Sequence, residues 1–123
     1  GKLKEETIKQ LEISIENILK VLQPQKVFTH SPWGEYGHSE HLAVHNAVKK
    51  FLPETLFQEW ASNSIYEKIP EFDDMKRKTK IVMKQKVDNI FKKKFVSYYK
   101  EKNIWTGQSS DETGDEEIFC VYK

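Results

Sequence analysis

The chain has 123 residues with 20 Lys+Arg against 19 Asp+Glu, a net charge of +1, which fits one domain and offers no charge argument for a nucleic-acid partner. Hydrophobic residues at 37%, with seven Phe, five Tyr and three Trp, supply a core and exclude disorder throughout. No apolar run approaches the roughly 18 residues of a membrane span and no hydrophobic stretch at the N-terminus resembles a signal peptide, so the expectation is a soluble, cytoplasmic protein.

Residues 4–22 predict an amphipathic helix, because Ile8, Leu11, Ile15, Ile18 and Leu22 recur at spacings of three and four among Lys, Glu and Gln. Pro24 follows as a stop. Residues 26–30 then read as a short buried strand built on Val27-Phe28-Thr29. Residues 31–37, Ser-Pro-Trp-Gly-Glu-Tyr-Gly, form a loop, since two Gly and a Pro fall within seven positions. Helical period returns over 39–52, with Ser39 as N-cap, His41, Val44, His45, Val48 and Leu52 on one side, and Pro53 as the end. Residues 55–61 predict a second strand.

This order is that of a layered α/β fold in which helices cover a parallel sheet, and ligands of such folds bind outside the carboxyl ends of the strands. The 31–37 loop occupies that position. Residues 74–102 read as a basic helical region, with eleven basic residues from Met75 to Lys102 against Asp88 and Glu101. Its charge is that of a solvated face, with a phosphate-tracking surface as the alternative, and Phe91, Phe95, Tyr98 and Tyr99 at helical spacing read as core. Residues 107–117 are an acidic connector, and 118–122 close the chain as a last strand holding Cys120. A single cysteine excludes an intrachain disulfide and a cysteine-based zinc cluster, and in this apolar run it reads as a small buried hydrophobe.

All four histidines, His30, His38, His41 and His45, fall between positions 30 and 45. His38 and His41 are three apart and His41 and His45 four apart, so a helix sets them along one face, and imidazoles at such spacings can share a metal ion. Each neighbour has two readings. Tyr36 either donates its phenol to a developing oxyanion or packs as a half-buried ring. Glu35 and Glu40 either orient imidazoles or place negative charge at a helix N-terminus. His45, one turn deeper, reads as structural, and His30 at the strand's end fits either a packing or a pocket role.

The run Gly34-Glu35-Tyr36-Gly37-His38-Ser39-Glu40-His41 followed by Ala43-Val44-His45 resembles the second signature of the LmbE / PIG-L family of zinc-dependent N-deacetylases, G-E-Y-G-H-P-D-H with A-V-H. Val27-Phe28-Thr29-His30 is similar to the strand leading into it. The resemblance is specific over about sixteen residues, and a weaker likeness reaches the last strand. It implies a Rossmann-like α/β fold, of which this chain is the C-terminal half, and removal of acetyl groups from N-acetylglucosamine-type sugars. It makes His41 a zinc ligand and His38 the group that stabilises or protonates the tetrahedral intermediate, with Tyr36 beside it. Glu35 and His30 are then assigned to the substrate pocket. Two substitutions depart from the signature: Ser39 stands for Pro, harmless at an N-cap, and Glu40 stands for Asp, where one more methylene weakens a hydrogen bond orienting His38.

The family's first signature, A-H-P-D-D-E, supplies two more zinc ligands and the general base, and this chain has no counterpart. A catalytic zinc needs about three protein ligands. Gly1 in place of Met agrees with a processed or truncated start. The expectation is therefore a part of a zinc-dependent hydrolase, inactive as an isolated chain, whose partners are an N-acetylated sugar or related amide and a missing N-terminal segment or second chain. The alternative is a non-catalytic remnant serving as a binding or interaction module, and a nucleic-acid-binding domain led by residues 75–102 ranks last.

Overall fold

The computed structural model describes residues 2–86, 88–103 and 116–122. The fold is mixed α/β, with helices packed around a small antiparallel sheet. Helix α1, Glu5–Leu22, carries Glu5 and Glu6 in its first turn and Lys20 in its last, charges that complement the helix dipole. It ends at Gln23, whose left-handed backbone (φ 44°) returns its N–H to the Leu19 carbonyl at 2.9 Å. The half-buried stripe is Ile8, Leu11, Ile15 and Leu19. Ile18 and Leu22, predicted to continue it, are exposed: Leu19 lies nearer the centre of the stripe than Ile18, and Leu22 sits on the terminal turn.

The stretch from α2 to α3 carries the candidate site. A single turn, α2 (Gly34–Gly37), leads through His38 into α3, Ser39–Phe51, which buries Ala43, His45, Ala47 and Val48. The N-cap of α3 is His38 and not Ser39, because the His38 side chain accepts the Glu40 N–H at 3.2 Å. Helix α1 packs against α3, and Lys50 of α3 reaches Glu12 of α1 at 2.8 Å. Lys49 ties the end of α3 to the sheet through the Tyr122 carbonyl at 3.0 Å.

Three strands form the sheet: β1 (Leu56–Gln58), β2 (Thr79–Lys86) and β3 (Glu116–Tyr122), in the order β1-β3-β2 with both pairings antiparallel. The parallel sheet expected from the order of elements is not what these strands make. Among the described residues one parallel contact survives, the bridge of Phe28 with Leu56, carried by Thr29 N–H to Leu56 O (2.8 Å) and Leu56 N–H to Val27 O (2.9 Å). The strand expected over 26–30 is thus reduced to this bridge, and that over 55–61 shortens to β1.

Residues 74–102 are not one helical region. They finish a short helix α5 (Phe72–Arg77), run through β2, and only then enter α6, Asn89–Glu101, capped by Asp88 accepting the Phe91 N–H at 3.0 Å. β2 pairs along its length with β3, with a bulge between Ile81 and Met83. Phe91, Phe95 and Tyr98, expected in the core, are exposed on α6 and contact other rings of the same helix, as in Phe95 against Tyr99 at 4.5 Å. Most of the expected connector 107–117 lies outside the described residues.

The core gathers Trp33, Phe57, Ile65, Ile69, Phe72 and Cys120, with Ile65 on the short helix α4, Ile65–Lys68. Trp33 is its hub: fully buried, its ring meets Phe57 and Phe72 edge-on at 5.4 and 5.1 Å, and its indole N–H donates to the Trp60 carbonyl at 2.9 Å. Burial pushes the Cys120 thiol up from its ordinary pKa, so it is an inert packing residue. No helix among the described residues is long and apolar enough to cross a membrane.

Candidate metal centre

The loop after Thr29 turns back on itself under two constraints. Ser31 accepts the Glu35 N–H on its Oγ at 3.0 Å, and its own N–H donates to Glu35 Oε1 at 2.8 Å. The Glu35 carbonyl accepts the Ser62 N–H at 2.9 Å. Glu35 is held with φ 59° and ψ −55°, a region that costs a non-glycine residue about 1–3 kcal/mol and persists only where neighbours over-determine it. The flanking Gly34 (φ 63°) and Gly37 (φ 76°) supply the other positive-φ turns. A Cβ on Gly37 would stand 2.7 Å from Lys68 Cβ, so the loop also lies flush against α4.

This conformation aims the free carboxylate oxygen of Glu35 at two imidazoles. Oε2 lies 2.6 Å from His41 Nδ1 and 3.1 Å from His30 Nδ1. An ionised carboxylate only accepts, so each Nδ1 donates to it in this arrangement. The two rings stack at 4.0 Å between centroids, 12° from parallel. The side chains of Glu35, His41 and His30 are 19%, 26% and 40% exposed, so the group is sheltered yet open to solvent. Their potential ligand atoms lie within 4.8 Å of one another.

His30, Glu35 and His41 line a cleft of about 670 Å³ with Phe28, Thr29, Val44, Phe57, Gln58 and Phe119. Phe28 and Phe119 meet edge-on at 5.1 Å on its apolar side. Thr29 Oγ1 is buried and, among the described residues, is a side-chain oxygen without a hydrogen-bond partner.

Of the residues singled out in the sequence, the structure brings His30, Glu35 and His41 together. Tyr36 and His38 stand beside them: the Tyr36 ring lies 5.3 Å from that of His41, and the His38 ring 4.7 Å from it, but neither residue lines the cleft. His38 Nδ1 accepts the Glu40 N–H, which leaves the proton of the neutral ring on Nε2 as a donor. The residue that orients His38 is therefore the Glu40 backbone, not its carboxylate, and the extra methylene of Glu40 is without consequence for that bond. Glu40 is exposed in the first turn of α3, where its charge favours the helix dipole. Glu35, in contrast, meets two imidazoles through Oε2.

His45 lies beneath the cluster, 3% exposed, and its Nδ1 donates to the His30 carbonyl at 2.8 Å. Burial holds its pKa below the ordinary histidine value of 6.5, outweighing the upward pull of that hydrogen bond. It fixes the backbone of His30 from below, the structural role read from its position one turn deeper.

Sequence reasoning passed over Ser31, which builds the Glu35 turn, and the apolar wall of Phe28, Phe57 and Phe119. Ser31 stands four residues before Glu35, one more than the capping-box spacing, so no known signature announces it. The wall comes from three separated segments that only the sheet unites. Comparison of the chain with protein-family models, with curated proteins and with solved structures found no match to any of the three.

Proposed function

We propose that this chain supplies part of the active site of a zinc-dependent hydrolase that removes the acetyl group from an N-acetylglucosamine-type sugar, and that the chain by itself is inactive. The observation that carries this reading is the convergence of His30, Glu35 and His41 on a cleft that Phe28, Val44, Phe57 and Phe119 also line. Two imidazoles and a carboxylate are a donor set suited to zinc, and an apolar wall suits an acetamido methyl or the flat face of a sugar ring. The resemblance of residues 34–45 to the LmbE / PIG-L signature supplies the reaction class. The Phe28–Leu56 bridge, made across α3, supports the Rossmann-like part of that resemblance.

In this reading His41 is a metal ligand. Zinc, when bound, lowers the pKa of a coordinated water toward about 7 and polarises the amide carbonyl. His38 donates a hydrogen bond from Nε2 as the neutral ring. Protonated on Nδ1 as well, at the expense of the bond from the Glu40 N–H, the imidazolium gives its Nε2 proton to the departing amine and is left neutral, and the Tyr36 phenol donates to the oxyanion. Both rings move from their present positions beside the cleft to reach a substrate within it. Gln58 at the rim offers an amide to sugar hydroxyls. The chain has no match to the A-H-P-D-D-E signature that carries the family's general base, so turnover requires that signature from another segment or chain.

The test is ligand-detected NMR of an N-acetylglucosamine derivative with the zinc-loaded chain, run beside an assay for released acetate. Saturation transfer from the cleft to the acetyl methyl, lost in Phe119→Ser, together with no acetate release, is expected. Acetate release by the isolated chain overturns the claim of an incomplete site. Absence of any transfer overturns the substrate class and leaves a binding or interaction module.

A further inference from the structure

We infer that His30, Glu35 and His41 form a self-contained three-ligand site for a divalent first-row transition ion, with His30 Nδ1, Glu35 Oε2 and His41 Nδ1 as the ligating atoms. The inference rests on the same cleft as the reading above but not on the substrate assigned there. It differs from what the signature resemblance implies, in which His41 alone of these residues binds the metal and His30 and Glu35 face the substrate.

Three arguments support the site. The first is distance. Ligand atoms at about 2.0–2.1 Å from one ion stand roughly 3.3 Å apart in a tetrahedral arrangement, and Glu35 Oε2 is 2.6 and 3.1 Å from the two Nδ1 atoms. Both contacts lengthen toward that separation when an ion replaces the bridging protons, each neutral ring then carrying its proton on Nε2. The second is pre-organisation. Glu35 is pinned through its N–H, its carbonyl and Oε1, which leaves Oε2 alone to face the imidazoles. His30 is anchored at its carbonyl by His45, and His41 sits on the first turns of α3. With the carboxylate and both histidine backbones already placed, only the two imidazole side chains lose freedom on binding. The third is chemistry: two neutral nitrogen donors with one carboxylate match zinc and its neighbours, while magnesium and calcium prefer oxygen sets. Three protein ligands leave a coordination position for water or substrate.

One rearrangement is required. The His30 and His41 rings are near parallel, so their in-plane lone pairs do not meet at a point, and the rings must splay by side-chain rotation for both to reach one ion. The side-chain exposure of His30 leaves its ring room to do so. Thr29, whose Oγ1 is buried and unpartnered among the described residues, belongs to the lining of the same cleft.

The experiment uses zinc alone as probe. Isothermal titration of the metal-free chain is expected to give one equivalent bound, and long-range proton–nitrogen NMR to show metallated Nδ1 on both His30 and His41. The cobalt-loaded chain is expected to show the visible absorption of a four- or five-coordinate centre. His30→Ala, His41→Ala and Glu35→Gln should each weaken zinc at least tenfold, while Glu40→Gln in the same segment changes it less than twofold. Magnesium in large excess should not compete. Failure to bind one equivalent, or an affinity that Glu40→Gln lowers as much as His41→Ala, overturns the site. So does metallation at Nε2 with Nδ1–H kept on Glu35, which would make Glu35 a positioning residue. The NMR reading is made on the wild type and stands even where a variant fails to fold. Zinc bound at the predicted atoms without sugar binding keeps this inference and removes the substrate reading; sugar binding without zinc does the reverse.

Discussion

Trp33→Ala tests whether the core sets the candidate site. Trp33 is 0% exposed and touches Phe57 and Phe72, and it stands two residues before Glu35. Truncating a buried tryptophan costs about 3–5 kcal/mol through lost burial and the cavity left behind. The Trp60 carbonyl also loses the indole donor at 2.9 Å, worth about 1 kcal/mol where water can replace it and more where it cannot. Against a total of about 6–15 kcal/mol for a chain of 123 residues, the variant gives up between a quarter and most of its stability. Trp33→Phe keeps an aromatic ring against Phe57 and Phe72 but loses the hydrogen bond, and should cost about 2 kcal/mol. Urea titration followed by far-UV circular dichroism reads both values, with an unchanged slope expected for a two-state change. Zinc affinity, measured where each variant remains folded, should fall at least tenfold for the alanine. A loss of less than 1 kcal/mol in Trp33→Ala would refute its place at the hub. A large loss with wild-type zinc affinity would show that the loop holds its shape without the core.

The metal-free protein should be less stable in acid because of His45. Its pKa in the fold lies below the 6.5 of an exposed histidine, so between the two values the unfolded chain binds the proton more readily and stability rises with pH. The contribution is present in full above about 6.5 and is lost as pH falls through the folded value; urea midpoints from pH 7.5 to 5 should drop, and His45→Gln should flatten that part of the profile. Gly37→Ala should lower stability by about 2–4 kcal/mol, joining the penalty for alanine at positive φ to overpacking against Lys68 Cβ at 2.7 Å, and a thermal melt reads it. Phe91→Ser, at a residue 67% exposed on α6, should change stability by less than about 0.5 kcal/mol, whereas a loss above 2 would return this ring to the core.

Helices with strong period and punctuation were legible in the sequence. α1 and α3 end beside Pro24 and Pro53, and their apolar residues recur at three and four. β2 was not, because lysines occupy Lys80, Lys84 and Lys86, and lysine weakens a strand signal while supporting a helix. Its strand character comes from pairing with β3, where Lys86 faces Glu116 across the ladder. That partner lies thirty residues away, and no window of local sequence contains it. The same holds for the candidate site. The histidine window could be found by counting, but the choice among its members depends on how the chain turns at Glu35. A helical wheel joins His38, His41 and His45; the folded loop instead joins His30 and His41 through Glu35, and sends His45 below and His38 to a cap.

The strain at Glu35 explains why that choice is made. A helical or extended Glu35 would satisfy its own backbone at no cost and point its carboxylate elsewhere. The observed conformation, at about 1–3 kcal/mol, is offset locally by the Ser31 and Ser62 hydrogen bonds and by the burial of Trp33 two residues earlier. Those contacts do not themselves need a carboxylate at position 35. Ser31 Oγ and the Ser62 N–H hold only its backbone, and an amide side chain would still accept the Ser31 N–H through its carbonyl oxygen. What needs the second, charged oxygen is the pair of imidazoles. Backbone packing sets the direction of the side chain, and the charge at its end meets the two histidines, so the energy held in this turn is spent on placing one anionic donor between two nitrogen donors.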